Sequence, residues 1–168
     1  MIIEYELTKQ DYIDFNINHM NNSKSMKNSM LFQRFIIPVI YLILPLFLKY
    51  ISRIPLWYWY CIFLIFSVIW IIRYPKIIEK SVIKRASKLI DEGKATGIVG
   101  HHSVTYTNEG IVDKTEFSET KYSVFERVVE SENHIFIYVS SVMAYIIPLR
   151  AFKNQDEKLE FLSMLNSK

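Results

Sequence analysis

Two uncharged apolar runs separated by only five residues limit what this chain can become more than any other feature in it. Phe35 to Leu48 (FIIPVIYLILPLFL) carries no charge, and if Arg34 and Lys49 reach back toward the ends, the usable stretch extends from Leu31 to Tyr50. That meets the roughly 20 residues a helix needs to cross a hydrocarbon core of about 30 Å. Ile54 to Ile72 (IPLWYWYCIFLIFSVIWII) adds nineteen more uncharged residues. Pro38 and Pro45 interrupt the first run, which spanning helices tolerate when the freed backbone groups find local partners. Between the runs lies only KYISR, so residues 31–72 are predicted to form a two-helix transmembrane hairpin. Trp57 and Trp59 near one end of the second run, and Trp70 and Tyr74 near the other, are the expected membrane-interface anchors.

Charge then sets the orientation. The connecting loop holds two basic residues, Lys49 and Arg53. The outer flanks hold Lys24, Lys27 and Arg34 on one side and Arg73, Lys76, Lys80, Lys84, Arg85 and Lys88 on the other. Basic residues favour the inner face, so a cell membrane protein with two spans and both termini cytoplasmic is expected. The opening MIIEYELTKQDY lacks a basic stretch followed by an apolar core, so the first span is expected to act as targeting signal and anchor together. Neither run contains an Asp, Glu, Lys, Arg or His at depth, or a glycine or alanine, which opposes an ion pathway and a close helix-packing stripe.

The net charge of +3 is unevenly spread. Residues 73–94 hold seven basic and three acidic side chains, whereas residues 95–168 hold seven basic and ten acidic. A nucleic-acid-binding domain would carry the basic excess on its own folded surface, so nucleic acid is not expected as a partner. The basic segment reads as an amphipathic helix, with Ile78, Val82, Ala86 and Leu89 on one face and Gly93 as its stop. Lys76, Lys80, Lys84, Arg85 and Lys88 are the candidate contacts to anionic lipid headgroups, at about 1 kcal/mol each near the surface.

The remaining segments carry strand and helix patterns. Ile3, Tyr5 and Leu7 alternate with Glu4 and Glu6, the period of a half-buried strand. Thr8 with Asp11 three residues on opens a helix whose Tyr12, Phe15 and His19 share a face. From Gly97 the period is again two: IVGHHSVTYT, the turn NEG, IVDKTEF, ETKYSVFERVVE, the turn SENH, then IFIYVS and MAYIIPL. Ser140 and Ser141 interrupt the fifteen uncharged residues Ile135 to Leu149. That stretch is short for a span and rich in β-formers, so it is predicted to be a β-hairpin, apolar on both faces, covered on one by the closing helix and on the other by the leading IIEYELT segment or an unknown partner. Asn154 should cap that helix, with Leu159, Phe161, Leu162 and Leu165 as its apolar stripe.

The expected fold class is therefore a membrane α-helical hairpin plus a small cytoplasmic α+β module. In the module an antiparallel sheet of five or six strands is capped by a C-terminal helix, in a pleckstrin-homology-like outline. The expected divisions are 1–30, an N-terminal strand and helix; 31–72, the hairpin; 73–94, a basic juxtamembrane helix; and 95–168, the sheet domain. GHHSVTYTNEGI followed by KYSVFERVVESENHIFIYVSSVMAYIIPLRAF resembles the C-terminal region of YcxB-like membrane proteins. There a tyrosine, tyrosine-any-isoleucine-proline strand runs into a basic and aromatic tail like Arg150 and Phe152. The order of parts, from the leading EYELT strand through an Asn-rich helix and two spans, is also similar to that family. The resemblance implies a bacterial membrane protein of undefined activity.

No catalytic pattern accompanies these elements. His101 and His102 are adjacent on a predicted strand and so point to opposite faces, which prevents joint metal ligation and leaves them as solvated strand residues. Glycine-rich phosphate loops and nucleophile elbows are missing, and the lone Cys61 lies in an apolar run. The expectation is a non-enzyme without cofactor or metal, whose sheet contacts a protein partner or lipid headgroups, with the oligomeric state open. Self-immunity against a bacteriocin-like toxin is the alternative.

Overall fold

The computed structural model describes residues 1–94, 97–107, 110–122 and 125–166. It divides into two compact units, Met1–Asn16 with Arg85–Lys168, and Ile17–Lys84. The turn expected at Asn108 and Glu109 lies outside the described residues.

The first unit is built from two antiparallel sheets. β1 (Ile2–Leu7), β2 (Gly100–Thr107), β3 (Gly110–Thr115) and β4 (Glu119–Tyr122) follow one another in one sheet. β5 (Arg127–Glu130), β6 (His134–Tyr138) and β7 (Ala144–Pro148) form the other. The leading strand thus belongs to a sheet completed almost a hundred residues later: Ile3 lies opposite Val104 and Tyr5 opposite His102. Its alternation is the reason, since Ile3, Tyr5 and Leu7 are buried while Ile2, Glu4 and Glu6 face water. The single strand expected over ETKYSVFERVVE is instead two strands in different sheets: β4 pairs with β3, whereas β5 pairs with β6.

The apolar stretch at Ile135 to Leu149 is the predicted hairpin, with Ile135 opposite Ile147 and Ile137 opposite Tyr145. All five residues of β6 are buried. Ser140 makes its turn by accepting at Oγ the amides of Val142 and Met143. The cover for one face comes from the helix that follows β1, α1 (Lys9–Asn22): Phe15 sits 5.5 Å from the Phe136 ring and 6.1 Å from Tyr138. Large buried rings of this size each contribute about 1.5–3 kcal/mol. The closing helix α4 (Gln155–Asn166) inserts Phe161 and Leu165 into the same core. Asn154 Oδ1 accepts the Glu157 amide at 2.8 Å, the expected cap. Leu159, expected in the apolar stripe, is more than half exposed. Among neighbouring residues, Lys158 pairs with Glu130 and ties α4 to β5.

Two long helices follow α1. Helix α2 (Lys24–Ile51) runs through both of its prolines, and α3 (Leu56–Asp91) runs without a break from the second apolar run through the basic segment. Residues 73–94 are therefore mostly the distal part of α3 rather than a separate helix. Gly93, at φ 66°, adopts the left-handed conformation that ends it, with the Lys94 amide bonded back to the Leu89 carbonyl. Both helices are long and apolar enough to cross a membrane.

Within Ile17–Lys84, Pro75 has no N–H to offer the carbonyl four residues earlier, that of Ile71. Arg34 Nε donates to that carbonyl at 3.0 Å, and Tyr74 Oη donates to Gln33 at 3.0 Å. Arg34, expected to reach outward to an interface, instead satisfies the backbone group that Pro75 frees. Ser67 Oγ donates to the Phe63 carbonyl one turn earlier in its own helix at 2.8 Å, which satisfies a buried hydroxyl.

Candidate functional site

Two buried polar clusters stand out in the sheet unit. The first centres on Asp11. Its role as a helix cap follows from the sequence: Thr8 N donates to Asp11 Oδ2 at 2.7 Å, and the Asp11 amide returns to Thr8 Oγ1 at 3.3 Å. The fold then brings two more partners. His134 Nε2, at the start of β6, lies 2.7 Å from Oδ1. Arg150, in the short 3₁₀ turn Leu149–Ala151, forks onto both oxygens at 2.8 and 2.5 Å. Arg150 also donates to the Glu6 carbonyl at 3.0 Å, so one guanidinium joins β1, α1 and the end of β7. Burial pushes the Asp11 carboxyl up, but the hydrogen bonds from Arg150, Thr8 and His134 outweigh it and hold it well below the usual carboxylate range.

The second cluster is His102 with Asp113. His102 lies opposite Thr115, so Asp113 is its diagonal neighbour on the same face. Nδ1 sits 3.0 and 3.1 Å from the two carboxylate oxygens, and Nε2 sits 3.2 Å from the Ile98 carbonyl. Tyr5 stacks on the ring at 5.6 Å. His102 is buried, not solvated as the sequence suggested, while His101 is exposed on the other face.

Both ring nitrogens of His102 face acceptors, so each must donate and the imidazolium is favoured. Burial pushes its pKa down, but the hydrogen bond and charge of Asp113, with the Ile98 carbonyl, push it above its ordinary value. The sign follows: this pair stabilises the fold fully below about pH 6.5 and loses that contribution as pH rises through the raised folded value. An imidazole with both nitrogens engaged has none left to take a proton from a nucleophile, unlike the histidine of a hydrolytic triad.

A cavity of about 210 Å³ opens beside this pair. Tyr5, His102, Asp113, Tyr122 and Tyr145 contribute rings and polar atoms to its wall. Tyr145 and Tyr122 meet edge to face at 5.8 Å, and the Tyr145 hydroxyl lies 3.3 Å from Thr120 Oγ1. Burial raises the Tyr5 phenol well above its ordinary pKa, and the nearby Asp113 charge raises it further, so it stays a neutral hydroxyl.

The residues expected to meet a membrane are distributed differently. Lys76, Lys80, Lys84, Arg85 and Lys88 are all exposed, four of them at the i, i+4 spacing that aligns side chains on one helix face. Lys88 is 3.4 Å from Glu92. On the apolar side of that segment Ala86 is buried, but Leu89 is exposed. Trp57 is about two thirds exposed, while Trp59 and Trp70 are half-buried, with indole N–H groups enclosed and unpartnered among the described residues. Tyr74 is buried, its hydroxyl engaged by Gln33, and so is a packing residue within the helical unit. Among the described residues no group of three or more metal-ligating side chains comes together.

The segment from Tyr106 to Leu165 matches the family model described as YcxB-like protein. Residues 106–165 are a YcxB-like domain. The domain holds His134 and Arg150 but not Asp11, and Asp113 but not His102 or Tyr5. Each buried cluster is completed by β1, α1 or the start of β2, outside the matched segment. No curated protein and no solved structure matches the chain.

Sequence reasoning did not find either cluster as a cluster. Asp11 was visible only as a cap, because its other partners lie 123 and 139 residues away. His102 with Asp113 had a weak signal: eleven residues apart, they flank the turn NEG, and a hairpin centred there makes them diagonal neighbours.

Proposed function

We propose that the chain is a membrane-anchored, non-catalytic binding module of the cell membrane. Its helical hairpin crosses the bilayer twice, with both termini cytoplasmic, and the YcxB-like sheet domain meets a ligand or protein partner. The observation that carries the anchor is the outward apolar surface of α2 and α3. Phe32, Phe47, Leu64, Ile65 and Phe66 are each more than half exposed. Large apolar side chains left outward along two long apolar helices are what lipid covers and water does not. The exposed stripe Lys76, Lys80, Lys84, Arg85 and Lys88 supports the inward orientation and contact with anionic headgroups. Four strands, then three, then a closing helix support a pleckstrin-homology-like domain into which α1, α2 and α3 are inserted between β1 and β2. The two engaged nitrogens of His102 support a binding role over catalysis.

Cysteine labelling in intact cells tests the anchor, in a Cys61→Ser background. Ser52→Cys, in the short connection between α2 and α3, is expected to react with a membrane-impermeant thiol reagent. Ser140→Cys, in the β6–β7 turn, is expected to react only after lysis. Labelling at Ser140→Cys in intact cells overturns the orientation. Recovery of the chain in the supernatant after membranes are pelleted overturns the anchor itself.

A further inference from the structure

We propose that the cavity beside His102 and Asp113 binds a small aromatic molecule carrying one N–H or O–H donor, of one ring or two fused rings. The proposal deepens the reading of the sheet domain as a binding module, and it does not depend on the spans.

Size comes first. A cavity of about 210 Å³ is smaller than the roughly 300–1,000 Å³ of sites for larger ligands, and so suits a compact molecule. An apolar cavity of about 150 Å³ accepts a benzene ring, so a substituted or bicyclic ring fits here. Wall chemistry comes second. Leu7, Ile98, Val139, Met143 and Ile146 provide apolar surface, and Tyr5, Tyr122 and Tyr145 provide ring edges and faces. Charge comes third: His102 and Asp113 together are neutral, so the wall does not select a charged ligand.

The donor requirement follows from Asp113. A buried carboxylate offers about four lone-pair sites, and the single N–H of His102 occupies only the side facing it. The remaining acceptor capacity borders the cavity, in a place where a satisfied hydrogen bond to a charged group is strong. The mouth adds a further indication. The β3–β4 and β6–β7 turns both border the cavity, and they carry Phe117, Val142 and Met143, each more than half exposed. Exposed apolar side chains beside a concave site are a common mark of ligand grooves.

The test uses the full chain in lipid nanodiscs with indole, and with 1-methylindole as the probe that keeps the ring but lacks the donor. Equilibrium dialysis reads binding, and two variants that fill the cavity, Ala144→Phe and Thr120→Trp, cancel partition of the probe into lipid. A thermal melt matching the wild type qualifies a variant as folded. The expected result is saturable indole binding by the wild type, at least tenfold weaker in a qualified filled variant and at least tenfold weaker for 1-methylindole. A site built to hydrogen-bond its ligand rejects the analogue that lacks the donor. Indole uptake that does not saturate, or is equal in the wild type and a filled variant, overturns the proposal. Equal binding of 1-methylindole overturns the role of Asp113. A failed indole experiment alongside the expected cysteine labelling rejects the ligand and leaves the anchor standing.

Discussion

The two units of this chain place their large apolar side chains in opposite ways. In the sheet unit, Phe136, Ile137, Tyr138 and Phe161 are essentially inaccessible, and the polar groups that enter the core come with partners. In the helical unit, Phe and Leu of the same size point outward. Apart from Met20 near its start, what is kept inside there among the described residues is Pro38, Pro45, Ser67 and Tyr74, which serve the backbone and packing between helices rather than an oily core. The difference teaches that burial has two meanings in one chain: exclusion from water in the first unit, and from lipid in the second under the proposed anchoring.

One pair of substitutions breaks the comparison most sharply. Phe136→Ala removes a ring that touches Phe15 and His134, and it is expected to cost about 3–5 kcal/mol. Phe66→Ala removes an equal ring from an outward position and is expected to change stability by no more than about 0.5 kcal/mol. Chemical denaturation in mild detergent measures both. A large loss for Phe66→Ala would mean that its surface packs against protein, and the contrast between the units would fail.

The next effect separates polar burial from apolar burial inside the sheet unit. Asp11→Ala leaves His134 buried and Arg150 without its carboxylate, and a loss of about 2–3 kcal/mol is expected. Because the folded Asp11 carboxyl is held below its unfolded value, its contribution is present above about pH 4 and fades as pH falls toward the folded value. The wild type should therefore lose part of its melting temperature between pH 5 and pH 3, and Asp11→Ala should lose less. Parallel acid profiles for the two would remove Asp11 as the tie between α1, β6 and Arg150.

What the sequence made legible follows from the range of the interactions involved. Period-two alternation in IIEYELT, the Thr8 and Asn154 caps and the Ser140 turn are set within a few residues, and all were readable. The fifteen uncharged residues could be recognised as a hairpin because their serines and β-formers argue locally. The division of ETKYSVFERVVE between two sheets was not readable, because the segment holds no glycine or proline to mark a break and only the tertiary packing decides where it switches. Arg150 belongs to the tail that resembles the YcxB-like family, but its partner Asp11 sits near the other end of the chain. The change of composition at Arg73 suggests a separate basic helix. Composition alone does not end a helix, and α3 continues to Asp91, where the turn at Gly93 stops it.

The smallest effect tests the helical unit on its own terms. If Arg34 is present because Pro75 strips a donor from the Ile71 carbonyl, the two residues must be energetically coupled. Arg34→Leu in the wild type leaves that carbonyl unsatisfied and is expected to cost about 1 kcal/mol. Pro75→Ala restores the backbone N–H and with it the ordinary bond to Ile71. In that background Arg34→Leu should cost distinctly less, and a double-mutant cycle in detergent reads the difference directly. If the two losses simply add, Arg34 is held there for another reason, such as its place 5.9 Å from the Phe35 ring, which Pro75→Ala leaves untouched. Coupling would show instead that a proline in one helix is compensated by a side chain of its neighbour, so that the two helices are specified as a pair.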